Sequence, residues 1–393
     1  MNSLSRKILS IIFVLMVFFF GIGTTIQARE DLIDLNPDRD LQKTRDRVES
    51  IISDDFQSRT DWVNINGLFQ RCLRVTVLRD PDYDVHKLSN GQIMYDLPER
   101  DMTKYAGYVE ELSDVLKEQG IGFLYVQIPF KIKDDSYMPP GTHANGNENA
   151  DQMVALLREK GINTLDLRDN IAEEELDWTS LFFKTDHHWR PETAMWAAGI
   201  IAKRIHDDYG YPYVPSYYDR SNYEETVYEN WMLGSIGRRT GVLYDGLDDL
   251  ILFNPKFKTD FSFWGRNKKG DHIEKREGNF WNSMYAWENL QKRADFEHNT
   301  YSTYFGKDYA KAQVTNRLSH IGLRILLIRE SFSCALTPFL SLGADKITAI
   351  DLRRYNEMSI PDLCREENIN LVILDYNPSA FSKKQFDFFD RNM

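Results

Sequence analysis

Residues 102–130 read MTKYAGYVEELSDVLKEQGIGFLYVQIPF, and their order decides the fold class. The first part sets apolar residues at helical spacing and stops at Gly120; GFLYVQIPF is then a β-rich run stopped by Pro129. Moving outward, ENADQMVALLREKG (148–161) is a second amphipathic helix and INTLDLR (162–168) a short strand. PETAMWAAGIIAKRIHDDYG (191–210) is a helix with Pro191 at its first position. Towards the C-terminus LRILLI, DKITAIDL and NLVILDY read as strands, with helices after the first and over IPDLCREEN (360–368). Helices alternating with short apolar strands predict an α/β domain with a mainly parallel sheet.

Residues 211–300 interrupt this rhythm. They are rich in Tyr, Trp, Phe, Asn and Gly without a long period, and read as an irregular, partly β insertion. Asn66-Gly67 and Asn90-Gly91 read as turns beside strand candidates RVTVLRD and QIMYDL, and WVNINGLF (62–69) as a loop whose aromatics suit sugar stacking. One α/β domain over 61–393, with the insertion at about 211–300, is the simplest partition.

Ahead of it stand two segments. Arg6 and Lys7 precede an apolar run from Ile8 to Ile22, followed by a small-polar stretch and Ala28. Residues 1–28 therefore read as a signal peptide cut near Ala28, or as a retained membrane anchor that leaves the remaining chain outside. As a helix, residues 8–26 would span about 28 Å, close to a bilayer core. Residues 29–60 are charged and broken, with a turn at DLNPDRD (34–40), and read as a stalk or irregular entry segment.

A formal charge of −12 argues against nucleic acid as a partner, since phosphate binding needs clustered Lys and Arg. Three cysteines, Cys72, Cys334 and Cys364, allow at most one disulfide and form no metal motif.

Two stretches carry chemistry. LFFKTDHHWRPE (181–192) is an apolar run, a polar cluster and a Pro that opens a helix, which places the cluster at a strand-to-helix junction where open α/β sheets build sites. Asp186 and His188, two apart, fit one tight turn in which the carboxylate holds an imidazole nitrogen, and such a His can take a proton from a hydroxyl. The alternative is a helix cap with two solvated histidines; a metal set is disfavoured because adjacent side chains rarely converge on one ion. The second stretch, LRILLIRESFSCALTPFLSL (323–342), is a buried strand, an abrupt turn and a helix kinked or restarted at Pro338. Ser331 stands on that turn among free backbone N–H groups; Ser333 could be the nucleophile's neighbour or the helix N-cap. Gly234 and Arg238 in GSIGRRTG could line a cleft, Asn377 in LDYNPS could donate at the same sheet edge, and Arg353 could bind an acetyl carbonyl or a sugar carboxylate. For each the alternatives are a plain turn or a surface ion pair. The other six histidines (86, 143, 206, 272, 298, 320) show no pattern, and nothing calls for a cofactor.

KTDHHWRPE together with RESFS resembles the DHHW family of SGNH-like acyltransferases, the group that includes the alginate O-acetylation proteins AlgX and AlgJ. LYVQIPFKI, LGSIGRRTG and AIDLRRY also look like that family, and the likeness runs from about residue 60 to the end. It implies an SGNH-hydrolase-like three-layer α/β/α domain, with Asp186 orienting, His188 as base, Ser331 as nucleophile, His187 at a variable position and Trp189 closing the motif. It implies O-acetyl transfer to an extracytoplasmic polysaccharide, with a membrane-bound O-acyltransferase as partner supplying acetyl. The chain departs from the SGNH pattern before the serine: Arg329 and Glu330 stand where a Gly and an Asp are usual, so Glu330 replaces the Asp. Two other readings remain: a carbohydrate esterase of the same fold, and a catalytically silent polysaccharide-binding assembly factor using the aromatic insertion.

Overall fold

The computed structural model describes residues 3–35, 41–80, 83–267, 271 and 273–389. The turn expected at Pro37 and the position of His272 lie outside the described residues. Two compact units divide at Leu73/Arg74, so residues 61–73 fall with the first.

The first unit is helical: Ser3–Gln27, Arg29–Ile33, Leu41–Asp54 and Arg59–Cys72. Ser10–Gln27 is long and apolar enough to cross a membrane. Residues 29–60, read as a stalk or irregular entry segment, contain Arg29–Ile33 and Leu41–Asp54 and the start of Arg59–Cys72. Their charges are spaced to support them, as in Arg45–Glu49 (2.9 Å) and Gln42–Asp46 (2.8 Å). Asn66-Gly67 is not a turn, and WVNINGLF is not a loop: the last helix runs through both. A mid-helix Gly costs about 1 kcal/mol, which the rest of a 14-residue helix absorbs.

The second unit holds an eight-stranded sheet. Its strands, numbered along the chain, are β1 (Gly122–Gln127), β2 (Thr164–Asp166), β3 (Phe261–Arg266), β4 (Glu274–Gly278), β5 (Lys311–Asn316), β6 (Arg324–Ile328), β7 (Lys346–Ile350) and β8 (Leu371–Tyr376). Across the sheet they lie in the order β2-β1-β8-β6-β7-β5-β3-β4. The first five of that order are parallel; β5, β3 and β4 extend the sheet antiparallel. The parallel strands are apolar on both faces because both are covered. Leu124, Val126, Ile325, Leu327 and Ile373 meet Pro191–Tyr209 and Ser333–Leu340 on one side. Phe123, Tyr125, Leu326, Ile328 and Leu374 meet Thr103–Glu118, Gly146–Glu159 and Ile360–Glu367 on the other. The result is a three-layer α/β/α domain.

Part of the aromatic stretch belongs to that sheet, as β3 and β4. Another part forms a separate hairpin, Tyr223–Met232 with Asp248–Pro255. Phe253, Phe261, Phe263, Phe280 and Tyr285 of the stretch are buried in the core, and Tyr217, Trp231 and Trp281, partly buried, pack against it. A small antiparallel sheet of Val77–Leu78, Val85–Lys87 and Ile93–Tyr95 packs with Phe130, Ile132 and Ile236. Gly91, at φ +85°, makes the turn expected at Asn90-Gly91.

Candidate active site

β6 lies inside the parallel part of the sheet, between β8 and β7, so its C-terminal end opens at the middle of the sheet's edge. Three residues past that end is Ser331, partly exposed, and the helix Ser333–Leu340 follows at once. Glu330 holds the turn by accepting the Phe332 N–H at 3.2 Å. Ser333 is buried and gives its hydroxyl to Asp375 Oδ2 (2.6 Å), so it neither faces the site nor caps the helix. Arg329 is wholly buried, its guanidinium drawn away to Asp308 (3.3 Å) and the Lys307 carbonyl (3.0 Å).

The Asp-His-His-Trp segment is not preceded by a strand. The 3₁₀ turn Trp178–Leu181 ends and a loop begins, closed by the Phe182–Trp189 bridge and by Arg190 N–H on the Leu181 carbonyl (2.8 Å). An apolar run there fills core around a loop, which periodicity alone cannot tell from a strand. The loop is held from both sides. Lys131, fully buried, donates to the carbonyls of Ile93 (2.8 Å), Lys184 (3.1 Å) and Asp186 (2.8 Å). Asp248 accepts the N–H groups of Lys184 (2.6 Å) and Thr185 (2.8 Å) and the Thr185 hydroxyl (2.6 Å). Burial pulls the Lys131 ammonium down to about 8, against Asp248, Asp186 and Asp245.

Within this frame three side chains line up. Asp186 Oδ1 lies 2.5 Å from His188 Nδ1 and also accepts the His188 backbone N–H (3.0 Å). His188 Nε2 lies 2.7 Å from Ser331 Oγ, across 143 positions of sequence. Asp186 and His188 are buried, which leaves Ser331 as the face of the group. Burial pushes the Asp186 carboxyl up, but the two imidazoles and the Ser235 N–H outweigh it and hold it well below the usual carboxylate range. Its ionised form can orient the ring and stabilise an imidazolium.

The supporting residues divide. Trp189 is buried and donates Nε1–H to the Phe332 carbonyl at 3.0 Å, tying the loop to the serine turn. His187 pairs through Nδ1 with Ser235 Oγ (2.9 Å), and its ring lies tilted by 36° against His188 at 3.8 Å; burial lowers its pKa to about 3, so it is neutral. Gly234 packs on the loop so closely that a Cβ would lie 2.4 Å from the Thr185 carbonyl and 2.5 Å from Asp186. That approach brings the Ser235 N–H to Asp186 Oδ2 at 2.6 Å. Arg238 points away, to the Glu297 carbonyl (3.4 Å). Arg353 is bound to Asp351 (2.6 Å) and Asp308 (3.0 Å). Asn377 is buried, donating to the Pro129 carbonyl (2.7 Å) and capping the short turn at Pro378, so its amide is engaged elsewhere. Asp186, His187 and His188 do bring one ligand atom each within 4.8 Å of one another, contrary to expectation for adjacent residues, but Asp186 is committed to three N–H groups.

Sequence reading missed Lys131, Asp248 and Tyr301. Tyr301 stacks flat on His188 (3.9 Å, 9°) and donates its hydroxyl to the Phe332 carbonyl (2.8 Å). No spacing links it to the motif. Lys131 leaves a trace, a cation directly after the apolar run that β1 opens, four residues past the strand's end.

Residues 92–226 match the family described as ALGX, an SGNH hydrolase-like domain of the acetyltransferase AlgX. Bacillus cereus PatB1 is similar in structure at 22% identity and TM-score 0.62, over 79% of this chain and 99% of that one. A DHHW family protein from Eubacterium siraeum is similar at 17% identity and TM-score 0.61, over 81% and 99%. No curated protein matches by sequence. The chain thus has an SGNH hydrolase-like α/β fold, and the resemblance carried by KTDHHWRPE and RESFS is borne out at that level.

Proposed function

We propose that this chain is an O-acetyltransferase that moves acetyl groups onto polysaccharide hydroxyls through an acetyl-enzyme on Ser331. The observation that carries the reading is the line Asp186–His188–Ser331, with links of 2.5 and 2.7 Å. His188 Nε2 takes the Ser331 proton as Oγ attacks the acetyl carbonyl, then gives it to the departing donor oxygen. In the second half an acceptor hydroxyl passes its proton to His188 and attacks the acetyl carbon, and Ser331 Oγ recovers the proton. The Ser331 backbone N–H, which has no protein acceptor among the described residues, is available to the oxyanion. The match over residues 92–226 to an acetyltransferase family supports transfer as the chemistry. Polysaccharide as acceptor rests on the resemblance read in the sequence.

The apolar helix Ser10–Gln27 behind Arg6 and Lys7 supports an extracytoplasmic site, secreted or anchored; acetyl supply by a membrane-bound O-acyltransferase rests on the resemblance read in the sequence.

The full chain in detergent should release p-nitrophenol from its acetate, and Ser331→Ala and His188→Ala should abolish that release. Acceptor oligosaccharide should then gain mass by one acetyl group. Release without mass gain would make the protein an esterase. Wild type as inert as both variants, with glycan still bound, would make it a silent binding factor.

A further inference from the structure

Among the described residues Ser331 Oγ has two polar side-chain partners: His188 Nε2 at 2.7 Å and Glu330 Oε2 at 3.2 Å. A serine hydroxyl carries one hydrogen. If that hydrogen points to His188, as a base requires, the contact with Glu330 lacks a hydrogen unless the carboxyl brings one. The surroundings of Glu330 favour the acid form. It is 3% exposed, and its second oxygen, Oε1, is buried without a partner among the described residues, a costly place for a full negative charge. Asp375, on the adjacent strand β8, is also buried with one unpartnered oxygen, Oδ1, and each carboxylate would repel the other.

We propose that Glu330 stands protonated beside the nucleophile and donates its hydrogen to Ser331 Oγ, committing the serine's own hydrogen to His188. The inference rests on the acyl-transfer reading above. Glu330 keeps its proton through both half-reactions: the Oγ–acetyl bond forms and breaks, and the travelling proton moves only between Oγ, His188 Nε2 and the donor or acceptor oxygen. Its hydrogen bond eases departure of Oγ as an alkoxide when acetyl leaves for the acceptor. Ionised, Glu330 would instead compete with His188 for the serine hydrogen and set a negative charge beside the oxyanion.

The charges around it are mixed. His188 from the loop and Arg353 beyond β7 favour the carboxylate; Asp308 opposes it, and Asp308 is itself held by Arg329 and Arg353. Tyr95, Tyr301, Cys334 and Asp375 also feel Glu330, and burial keeps each of them in its neutral form. Burial outweighs the pull of His188, Arg353 and the Phe332 N–H and raises Glu330 to about 7.

The test follows Ser331 itself. The full chain in detergent is treated with phenylmethylsulfonyl fluoride, and label on the Ser331 peptide is read by mass spectrometry in wild type and Glu330→Gln. Both contacts are made by Oε2, so a Gln that turns its N–H to Oγ gives up the acceptor of the Phe332 N–H, but it keeps the donor for Oγ and cannot ionise, and the pH dependence of the ratio is what is read. The ratio of variant to wild-type labelling should rise roughly tenfold between about pH 6 and about pH 8. A flat ratio with Ser331 labelled overturns the Glu330 inference and leaves the nucleophile standing. A wild type whose Ser331 takes no label at any pH overturns both. A second measurement needs no Glu330 variant: infrared spectra of wild type should show a protonated-carboxyl band that disappears over the same range and shifts in Ser331→Ala. No such band, or one indifferent to Ser331, overturns the inference.

Discussion

Two stretches meet at the site and are shaped by different forces. Residues 324–333 turn by local means: an apolar strand ends, Glu330 caps the Phe332 N–H, and a helix begins. Residues 182–190 have no such local program. Lys131 from beyond β1, Asp248 from the distant hairpin and Gly234 from another loop grip that backbone from three sides. The lesson is that a hydroxyl can be placed by one element, whereas an imidazole aimed at it across 143 positions needs a cage.

Asp186→Asn strikes the join between the two stretches. It removes the anion behind His188 and should lower turnover on the order of 10⁴-fold with the fold intact. A loss below tenfold, measured as kcat/KM on p-nitrophenyl acetate, would break the reading. The pH sign is fixed by the depressed carboxyl: its stabilising contribution is present above the ordinary carboxylate range and lost as pH falls through the lower folded value. Urea melts of wild type and Asp186→Asn should therefore differ more at neutral pH than in strong acid.

Lys131→Met tests the cage. Three carbonyls lose their donor, so the second unit should be destabilised by about 3 kcal/mol in urea, with turnover falling alongside. A variant as stable as wild type would mean that the loop holds itself. Gly234→Ala should cost about 2 kcal/mol, because a methyl meets the Thr185 carbonyl and Asp186 at contact distances neither can accept. A crystal structure of that variant should show Asp186 displaced from the Ser235 N–H. Tyr301→Phe is the mildest probe. The ring stays on His188, one hydrogen bond to the Phe332 carbonyl goes, and a loss of about 1 kcal/mol in melting experiments is expected.

Legibility in the sequence followed the same division. LRILLI and NLVILDY announced buried parallel strands, and RESFS marked a turn after one of them, because strand, turn and helix propensities are local. DHHW announced its own pair, since two residues of spacing within one loop bring a carboxylate to a ring. The apolar residues before it, however, suggested a strand where the chain is a loop, and WVNINGLF suggested a loop where it is helix. A short apolar run is settled by what packs against it, and an Asn-Gly pair by the helix that continues on both sides of it.

The amino-acid sequence alone determined the α/β alternation, the apolar N-terminal helix and the three residues Asp186, His188 and Ser331. Only the tertiary structure decided that these three meet, that Arg238 and Asn377 turn elsewhere, and that Lys131, Asp248 and Tyr301 belong to the site. The physical reason is range: propensity and spacing act over a few residues, whereas a buried hydrogen bond joins whatever the packed core brings within about 3 Å.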